Sequence, residues 1–320
     1  MIPDQLQADA PQRRQSHLAP PAGPLSGAKL VFWNERELRA GWRLAIFVMF
    51  VALFNLGGIF LTIKLHLPRV TPPNLAQGAL LLQECGELLS VVIATAIMGL
   101  LEGRPFGVYG LPGADVFGAR FWQGAAWGIS MIAAIILLLR AFGGYSFGEL
   151  ALQGPAIWRY AAIWGVIFLS VGFFEEFQFR GYAQFTLCTG IGFWPAATVL
   201  SAAFGALHLA NPGEDKIGGL SVFVIAMFFC LTLRRTGNLW FAVGMHAAFD
   251  WGETYLFSVP DSGLVAPGHL LNSSFHGPAW LTGGTVGPEG SVIAFAVVAL
   301  AAVAFVLVYS SKEEPPRAAV

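Results

Sequence analysis

Ionisable side chains interrupt three strongly apolar stretches of the chain, FFEEFQFRGY, FGALHL and MHAAFDWGET. Together these stretches contain Glu175, Glu176, Arg180, His208, His246 and Asp250. An ionisable side chain inside a membrane span costs roughly 2.5–3.5 kcal/mol on insertion scales, so such residues are functional candidates by default. Glutamate and histidine are the side chains that most often move protons or bind metal in hydrolases. The three stretches therefore predict a hydrolytic site, most simply one for an acyl bond such as a peptide.

Helical spacing separates the two adjacent glutamates into different roles. Successive residues of an α-helix point about 100° apart, so Glu175 and Glu176 cannot both face one reaction centre. Glu176 and Arg180 lie four residues apart, which is the spacing of an ion pair on one helix face. This pairing leaves Glu175 as the carboxylate that is free to face a reacting group.

Two kinds of hydrolytic site remain open from these residues. Glu175, His208 and His246 would make the two-histidine, one-carboxylate ligand set of a zinc ion, with water in the fourth position. Without a metal, Glu175 and His208 would activate water, while His246 and Asp250 would hold the developing oxyanion. His246 and Asp250 share a helix face, and Glu253 extends this face by three residues.

The composition requires a membrane as the setting for this chemistry. Only 12% of the 320 residues are charged and 56% are apolar, with a mean hydropathy of +0.64. A soluble domain has about 25% charged residues. The net charge of −1 argues against a nucleic-acid partner. Three scattered cysteines argue against a disulfide framework or a cysteine metal site. We therefore expect an integral membrane protein with the lipid bilayer as its main partner.

The chain contains about eight stretches long and apolar enough to span a bilayer as helices. These stretches are residues 44–63, 77–101, 119–139, 157–187, 193–210, 218–233, 238–257 and 291–309. The predicted fold is thus an all-α polytopic membrane protein whose helices enclose a polar active-site cavity. We expect three parts: a disordered cytoplasmic tail with an interfacial segment (1–40), the membrane domain (41–310) and a short cytoplasmic tail (311–320).

The distribution of Lys and Arg predicts the orientation. If the N-terminus is cytoplasmic, 13 Lys and Arg residues lie on the inner side and 5 on the outer side. This bias predicts that both termini lie in the cytoplasm. We expect the membrane to be the inner (plasma) membrane of a bacterium. The last outer loop, 258–290, has neither Lys nor Arg and should pack over the helix ends. We expect the cavity to be reached from the cytoplasmic half.

The motifs EExxxR, FxxxH and HxxxD occur in this order on consecutive predicted helices. In this respect the chain closely resembles the CAAX prenyl protease and bacteriocin-processing family, also called the type II CAAX or Abi family. The resemblance covers roughly residues 39–310 and is densest over 160–290. It implies an eight-helix intramembrane endopeptidase that cuts near a substrate's C-terminus or within membrane-anchored peptides.

The resemblance also implies roles for individual residues. Glu175 matches the catalytic glutamate, with Glu176 and Arg180 as its support. His208 matches the partner in water activation or metal binding. The last motif is matched by His246 and Asp250. The family allows either Asn or Asp at the position of Asp250: an Asn donates a hydrogen bond to an oxyanion, whereas an acid there can bind metal or stay protonated.

Less specific explanations compete with this one. Buried glutamate and histidine also serve proton relays, so a proton-coupled secondary transporter is the main alternative. A transporter usually has an internal repeat, and the sequence contains none that we detect. A non-catalytic membrane scaffold or immunity protein is the third possibility. Glu84 and Glu87 share a helix face; lining of the same cavity, a structural role and a role in the substrate path are all open for them.

Overall fold

A computed structural model describes residues 16–21, 23, 26–27, 29–70 and 76–309. Within these residues the chain is mainly helical, which confirms the prediction of an all-α polytopic membrane protein. Residues 1–15, 22, 24, 25 and 28 of the predicted N-terminal tail and the whole predicted C-terminal tail, 311–320, lie outside the described residues.

The helices are numbered in chain order. They are α1 (Lys29–Phe32), α2 (Ala40–Lys64), α3 (Gln77–Glu102), α4 (Ala119–Ala141), α5 (Pro155–Gln178), α6 (Gln184–Ile191), α7 (Phe193–His208), α8 (Lys216–Thr236), α9 (Trp240–Trp251), α10 (Ala279–Thr282) and α11 (Val292–Val308). One π-helical segment, Phe179–Ala183, joins α5 to α6, and another, Gly252–Leu256, follows α9. Two short antiparallel strands, β1 (Tyr145–Ser146) and β2 (Ser274–Phe275), pair with each other.

Five helical segments are long and apolar enough to cross a membrane. They are α2, α3, α4, the continuous segment Pro155–Ile191 and α8. The other three predicted spans correspond to the shorter helices α7, α9 and α11. The described residues therefore support at least five spans, and the predicted number of eight is not confirmed.

The connections between helices lie on two opposite faces. On the face that carries the N-terminal segment, Asn238 donates a hydrogen bond to Asp115 at 2.7 Å. We call this the N-terminal face. On the other, distal face, Asn211 donates to the Ser262 carbonyl at 3.0 Å. The distal face also holds β1, β2 and the long segment between α9 and α11, which packs over the helix ends.

Residues just before α1 contact the N-terminal face rather than extending away from it. The His17 amide donates to the Leu101 carbonyl at 2.8 Å, and Leu18 packs against the apolar core. Leu18 offers an apolar anchor within a segment otherwise rich in Pro and Gln. This part of the predicted disordered tail is therefore attached to the end of α3.

Small residues allow α9 to pack very closely against α4. A Cβ atom at Gly128 would lie 2.1 Å from the Met245 carbonyl oxygen, and one at Gly244 would lie 2.1 Å from the Phe121 carbonyl oxygen. Such close backbone contact is typical of helix packing in membranes, where small residues permit the approach. The two contacts hold α9 in place at Gly244 and Met245, immediately before His246.

Candidate active site

A break in regular helix geometry separates α5 from α6 at the EExxxR motif. Glu175 and Glu176 lie in the last turn of α5, and Arg180 lies in the π-helical segment that follows. Gly181 has a non-helical ψ of −124°. A Cβ atom there would lie 2.6 Å from the Phe177 ring. π-Helical turns occur often at functional sites, and this one directs Arg180 back toward α5.

Arg180 and Glu176 form the ion pair that their spacing predicts. Arg180 Nη1 lies 3.2 Å from Glu176 Oε1, and both side chains are almost completely buried. The guanidinium also lies 4.6 Å from the ring centroid of Phe204 and 5.5 Å from that of Phe229. These rings supply cation–π contacts in place of water. The pair is thus fixed within the protein interior.

His246 bridges three carboxylates on two helices. Its Nδ1 lies 3.0 Å from Glu176 Oε1, and its Nε2 lies 3.3 Å from Asp250 Oδ2 and 3.5 Å from Glu175 Oε2. A ring nitrogen that faces a carboxylate must donate a proton, so this geometry favours the doubly protonated, cationic imidazole. The Phe229 ring stacks on the imidazole at 5.1 Å and holds its plane.

Glu175 and His208 keep part of their surface open. The Glu175 side chain is 19% exposed, whereas that of Glu176 is 0% exposed. His208 Nδ1 lies 2.9 Å from the Phe204 carbonyl oxygen, and because a carbonyl only accepts, this nitrogen carries the proton. His208 Nε2 is then the basic nitrogen. Phe204 also packs against the imidazole edge at 4.5 Å, which explains the FxxxH spacing.

A cavity of about 700 Å³ connects the candidate residues of all three motifs. The motif residues that line it are Glu175, His208, His246 and Asp250. Glu176 and Arg180 are not among the lining residues, so they hold the site from behind. Glu84 and Glu87 on α3 line the same cavity, which is one of the roles that the sequence left open for them.

The cavity extends toward the distal face. Its lining includes Val70, Asn211, Asp261 and Ala266, which lie in the connections of that face. No residue of the 103–118 connection on the N-terminal face lines it. The cavity thus extends away from the N-terminal face, and the predicted entrance from the cytoplasmic half stays a prediction, because the orientation of the chain in the membrane is not tested. The reason for the direction of the cavity is the chain order: α7 places His208 at its distal end, and α5 and α9 bring their motif residues to meet it.

The predicted zinc ligands do not form a three-ligand group. Zinc ligands lie about 2.0–2.2 Å from the ion, so three of them must lie within about 4.4 Å of one another. Among the described residues, the group of His, Cys, Asp or Glu ligand atoms within 4.8 Å of one another is Glu253, Asp261 and Glu289. As arranged, Glu175, His208 and His246 do not fit the zinc site that the sequence suggests.

Three residues near the site were missed by sequence reasoning. Phe229 carries no signal, because one phenylalanine among many in α8 is unremarkable until the fold stacks it on His246. Asp261 and Glu289 did carry a signal, since they are the only two acids in the segment 258–290, which has no Lys or Arg. Burial, reinforced by the nearby Asp250 carboxylate, raises the pKa of Glu289 to about 7.

Comparison with known families agrees with the motifs. Residues 157–252 match the family model described as type II CAAX prenyl endopeptidase Rce1-like. The matched segment contains EExxxR, FxxxH and HxxxD, so it confirms the resemblance to the CAAX protease family. Residues 157–252 are therefore similar to the Rce1-like family, and this similarity supports a role as a membrane endopeptidase. No curated protein and no solved structure matches the chain.

Proposed function

We propose that the protein is an intramembrane endopeptidase that uses Glu175 as the general base for water. The observation that carries this proposal is the contrast between two adjacent glutamates. Glu176 is fully buried against Arg180 and His246, whereas Glu175 is partly open to the cavity and still lies 3.5 Å from His246. This arrangement places one free carboxylate beside one fixed cation, which suits acyl-bond hydrolysis.

The proposed reaction begins when Glu175 removes a proton from a water molecule in the cavity. The resulting hydroxide adds to the carbonyl carbon of the scissile peptide bond, and the carbonyl oxygen becomes an oxyanion. Glu175 then returns the proton to the leaving amine nitrogen as the C–N bond breaks. General acid–base catalysis of this kind contributes about 10²–10⁴-fold to the rate.

The two histidines have different tasks in this mechanism. His208 presents a basic Nε2 to the cavity and orients the attacking water together with Glu175. His246 is held as a cation by Glu176 through Nδ1, and it shares its Nε2–H between Asp250 and the oxyanion. Asp250 keeps that imidazole in place by accepting a hydrogen bond from it. For this role a carboxylate serves as well as the asparagine that the family allows.

The substrate we propose is a membrane-anchored protein or peptide. Apolar side chains line the cavity beside its polar groups, among them Val48 and Val51 of α2 and Val171 of α5. Such walls suit a segment that lies at the membrane surface. CAAX-type processing and the processing of bacteriocin or signal peptides both fall within this substrate class.

Cleavage by purified protein tests the function. Membrane-anchored peptides are incubated with wild type, Glu175→Gln and His208→Ala, and the products are measured by mass spectrometry. Glu149→Gln is the matched control, because Glu149 is exposed on the distal face outside the cavity. We expect cleavage by wild type and Glu149→Gln only. Cleavage that survives both active-site changes would contradict the mechanism, and proton-coupled uptake in vesicles without cleavage would favour the transporter.

Metal content tests the alternative of a zinc ion held by Glu175, His208 and His246. The metal-independent mechanism predicts full activity in protein whose zinc content is far below one ion per chain. Elemental analysis and activity after chelation give the answer. Activity that is lost with zinc, and restored by zinc but not by other ions, would establish the zinc alternative.

The proposed orientation places both termini in the cytoplasm, so substrate enters the cavity from outside the cytoplasm. Thiol labelling tests this with two exposed positions, Ser274→Cys on the distal face and Ala114→Cys on the N-terminal face, each in a variant without native cysteines. A membrane-impermeant maleimide should label Ser274→Cys in intact cells and Ala114→Cys only after permeabilisation. The reverse pattern would place the cavity entrance on the cytoplasmic side.

A further inference from the structure

Three carboxylates meet on the distal face, beside the active-site cavity. Glu253 belongs to the π-helical segment that follows α9, whereas Asp261 and Glu289 belong to the long connection between α9 and α11. One carboxylate oxygen of each residue lies within 4.8 Å of the other two. None of the six candidate residues from the sequence motifs takes part in this group.

Glu253 is buried and has no hydrogen-bond partner among the described residues. Its side chain is 0% exposed, and neither of its carboxylate oxygens forms a hydrogen bond within the described part of the chain. A buried polar group without a partner costs about 1–3 kcal/mol, and more when it is charged. Two further carboxylates lie close to its oxygens, and this raises the cost of burying the unpaired acid further.

Hydrogen bonds hold the other two acids in place. Among the described residues, each of them uses only one of its two carboxylate oxygens for these bonds. Asp261 Oδ2 accepts from the Thr254 hydroxyl at 3.0 Å. Glu289 Oε2 accepts from the Ser262 amide and hydroxyl, both at 2.9 Å. The donors fix the two carboxylates from outside the group and leave Asp261 Oδ1 and Glu289 Oε1 for another ligand.

Among the described residues, no Lys, Arg or His side chain forms an ion pair with the group. None of the ion pairs among the described residues includes any of the three acids. The segment 258–290 that supplies two of them contains neither Lys nor Arg. Either protons or a bound cation must therefore neutralise the charge, because isolated buried charges are very costly.

We propose that Glu253, Asp261 and Glu289 bind a divalent cation of the hard, oxygen-preferring class, to which Ca²⁺ and Mg²⁺ belong. An all-carboxylate group with neighbouring hydroxyls is the ligand set that these ions prefer, with water completing the coordination. One carboxylate oxygen of each residue lies within 4.8 Å of the other two, so a single ion can contact all three acids. The cation joins the end of α9, which carries His246 and Asp250, to both ends of the long distal connection.

Cation binding is measured without any substrate, so the test is independent of the proteolytic function. Protein purified in detergent is freed of metal by a chelator and titrated with CaCl₂ or MgCl₂ at constant ionic strength in an isothermal calorimeter. We expect about one cation per chain for at least one of the two ions. Glu253→Gln should weaken binding by about tenfold or more, because it removes one of three ligand charges.

Two further variants keep the test decisive. Asp261→Asn lies in a partly exposed connection, so it provides the same measurement if Glu253→Gln does not fold. Glu149→Gln, an exposed acid on the same face, should bind as wild type does. The cation should also raise the thermal midpoint of wild type but not that of Glu253→Gln, since only a form that binds it gains stability.

Two results would overturn the assignment. If neither ion binds and neither raises the thermal midpoint of wild type, protons neutralise the three acids. If binding is lost in Glu175→Gln and retained in Glu253→Gln, the cation belongs to the active-site group instead.

Discussion

Two buried charge clusters at different depths of the molecule differ in how completely they are paired. On the N-terminal face, Arg43 and Arg104 each contact both Glu37 and Glu102 at 2.9–3.3 Å. The hydroxyls of Tyr109 and Tyr182 also donate to Glu102. We call this the terminal network.

The active-site cluster has the opposite balance. Glu175, Glu176 and Asp250 surround only two groups that carry positive charge, Arg180 and His246. One side of this cluster faces the cavity, whereas none of the four charged residues of the terminal network lines it. Complete pairing makes a charge structural, since removing one partner leaves the other buried and uncompensated. Incomplete pairing beside a cavity leaves a group available for chemistry.

The largest effect should come from Glu175→Gln, which removes the free carboxylate without changing side-chain volume. We expect the cleavage rate to fall by about 10²–10⁴-fold, as for the loss of a general base. Because Glu175 is partly exposed, the thermal midpoint should stay near that of wild type. Peptide cleavage assays and thermal unfolding in detergent measure the two quantities. A large loss of stability with normal specific activity would place Glu175 with the structural charges.

Glu102→Gln should show the reverse behaviour. The change leaves Arg43 and Arg104 with only Glu37, and breaking a buried ion pair on one side costs about 3–5 kcal/mol. We expect a clear fall in the free energy of unfolding, which denaturant titration measures. The folded fraction should keep its specific cleavage activity. Arg36→Gln, at an exposed position before α2, is the control and should change neither quantity.

Glu176→Gln tests a residue that combines a structural role with a role in the active site. It pairs with Arg180 as a structural charge does, and it also holds His246, so it is a positioning residue. We expect a fall in kcat of about 10–100-fold, as for other partners that orient a functional histidine, with little change in KM. A purely structural role would lower the amount of folded protein and leave kcat of that fraction unchanged.

The smallest effect should follow Phe229→Leu, which removes the ring stacked on His246 and facing Arg180. Aromatic contacts of this kind contribute about 0.5–1.5 kcal/mol beyond their buried area. We therefore expect a modest fall in both kcat and thermal midpoint. Phe228→Leu, on the adjacent residue that packs against Phe305 instead, provides the comparison. An equal loss of kcat in both variants would mean that the stacking on His246 has no special role.

Much of this arrangement is predictable because it depends on neighbours in the chain. Low charge and high hydropathy require membrane helices, and the spacing of Glu176 and Arg180 predicts their ion pair. The relation between Phe204 and His208 is likewise local, one helical turn apart. These features follow from helix geometry alone, so any helical segment with this sequence would have them.

The sequence by itself therefore determined the class of protein, the helices and the residues of the candidate site. Only the tertiary structure decided which carboxylates His246 faces, that the cavity extends to the distal face, and that Glu253 meets Asp261 and Glu289. Those outcomes depend on how α5, α7, α8 and α9 pack together. The close approach at Gly128 and Gly244 and the break at Gly181 set that packing. Contacts between segments far apart in the chain leave no periodic pattern in the sequence, so their partners appear only when the helices are assembled.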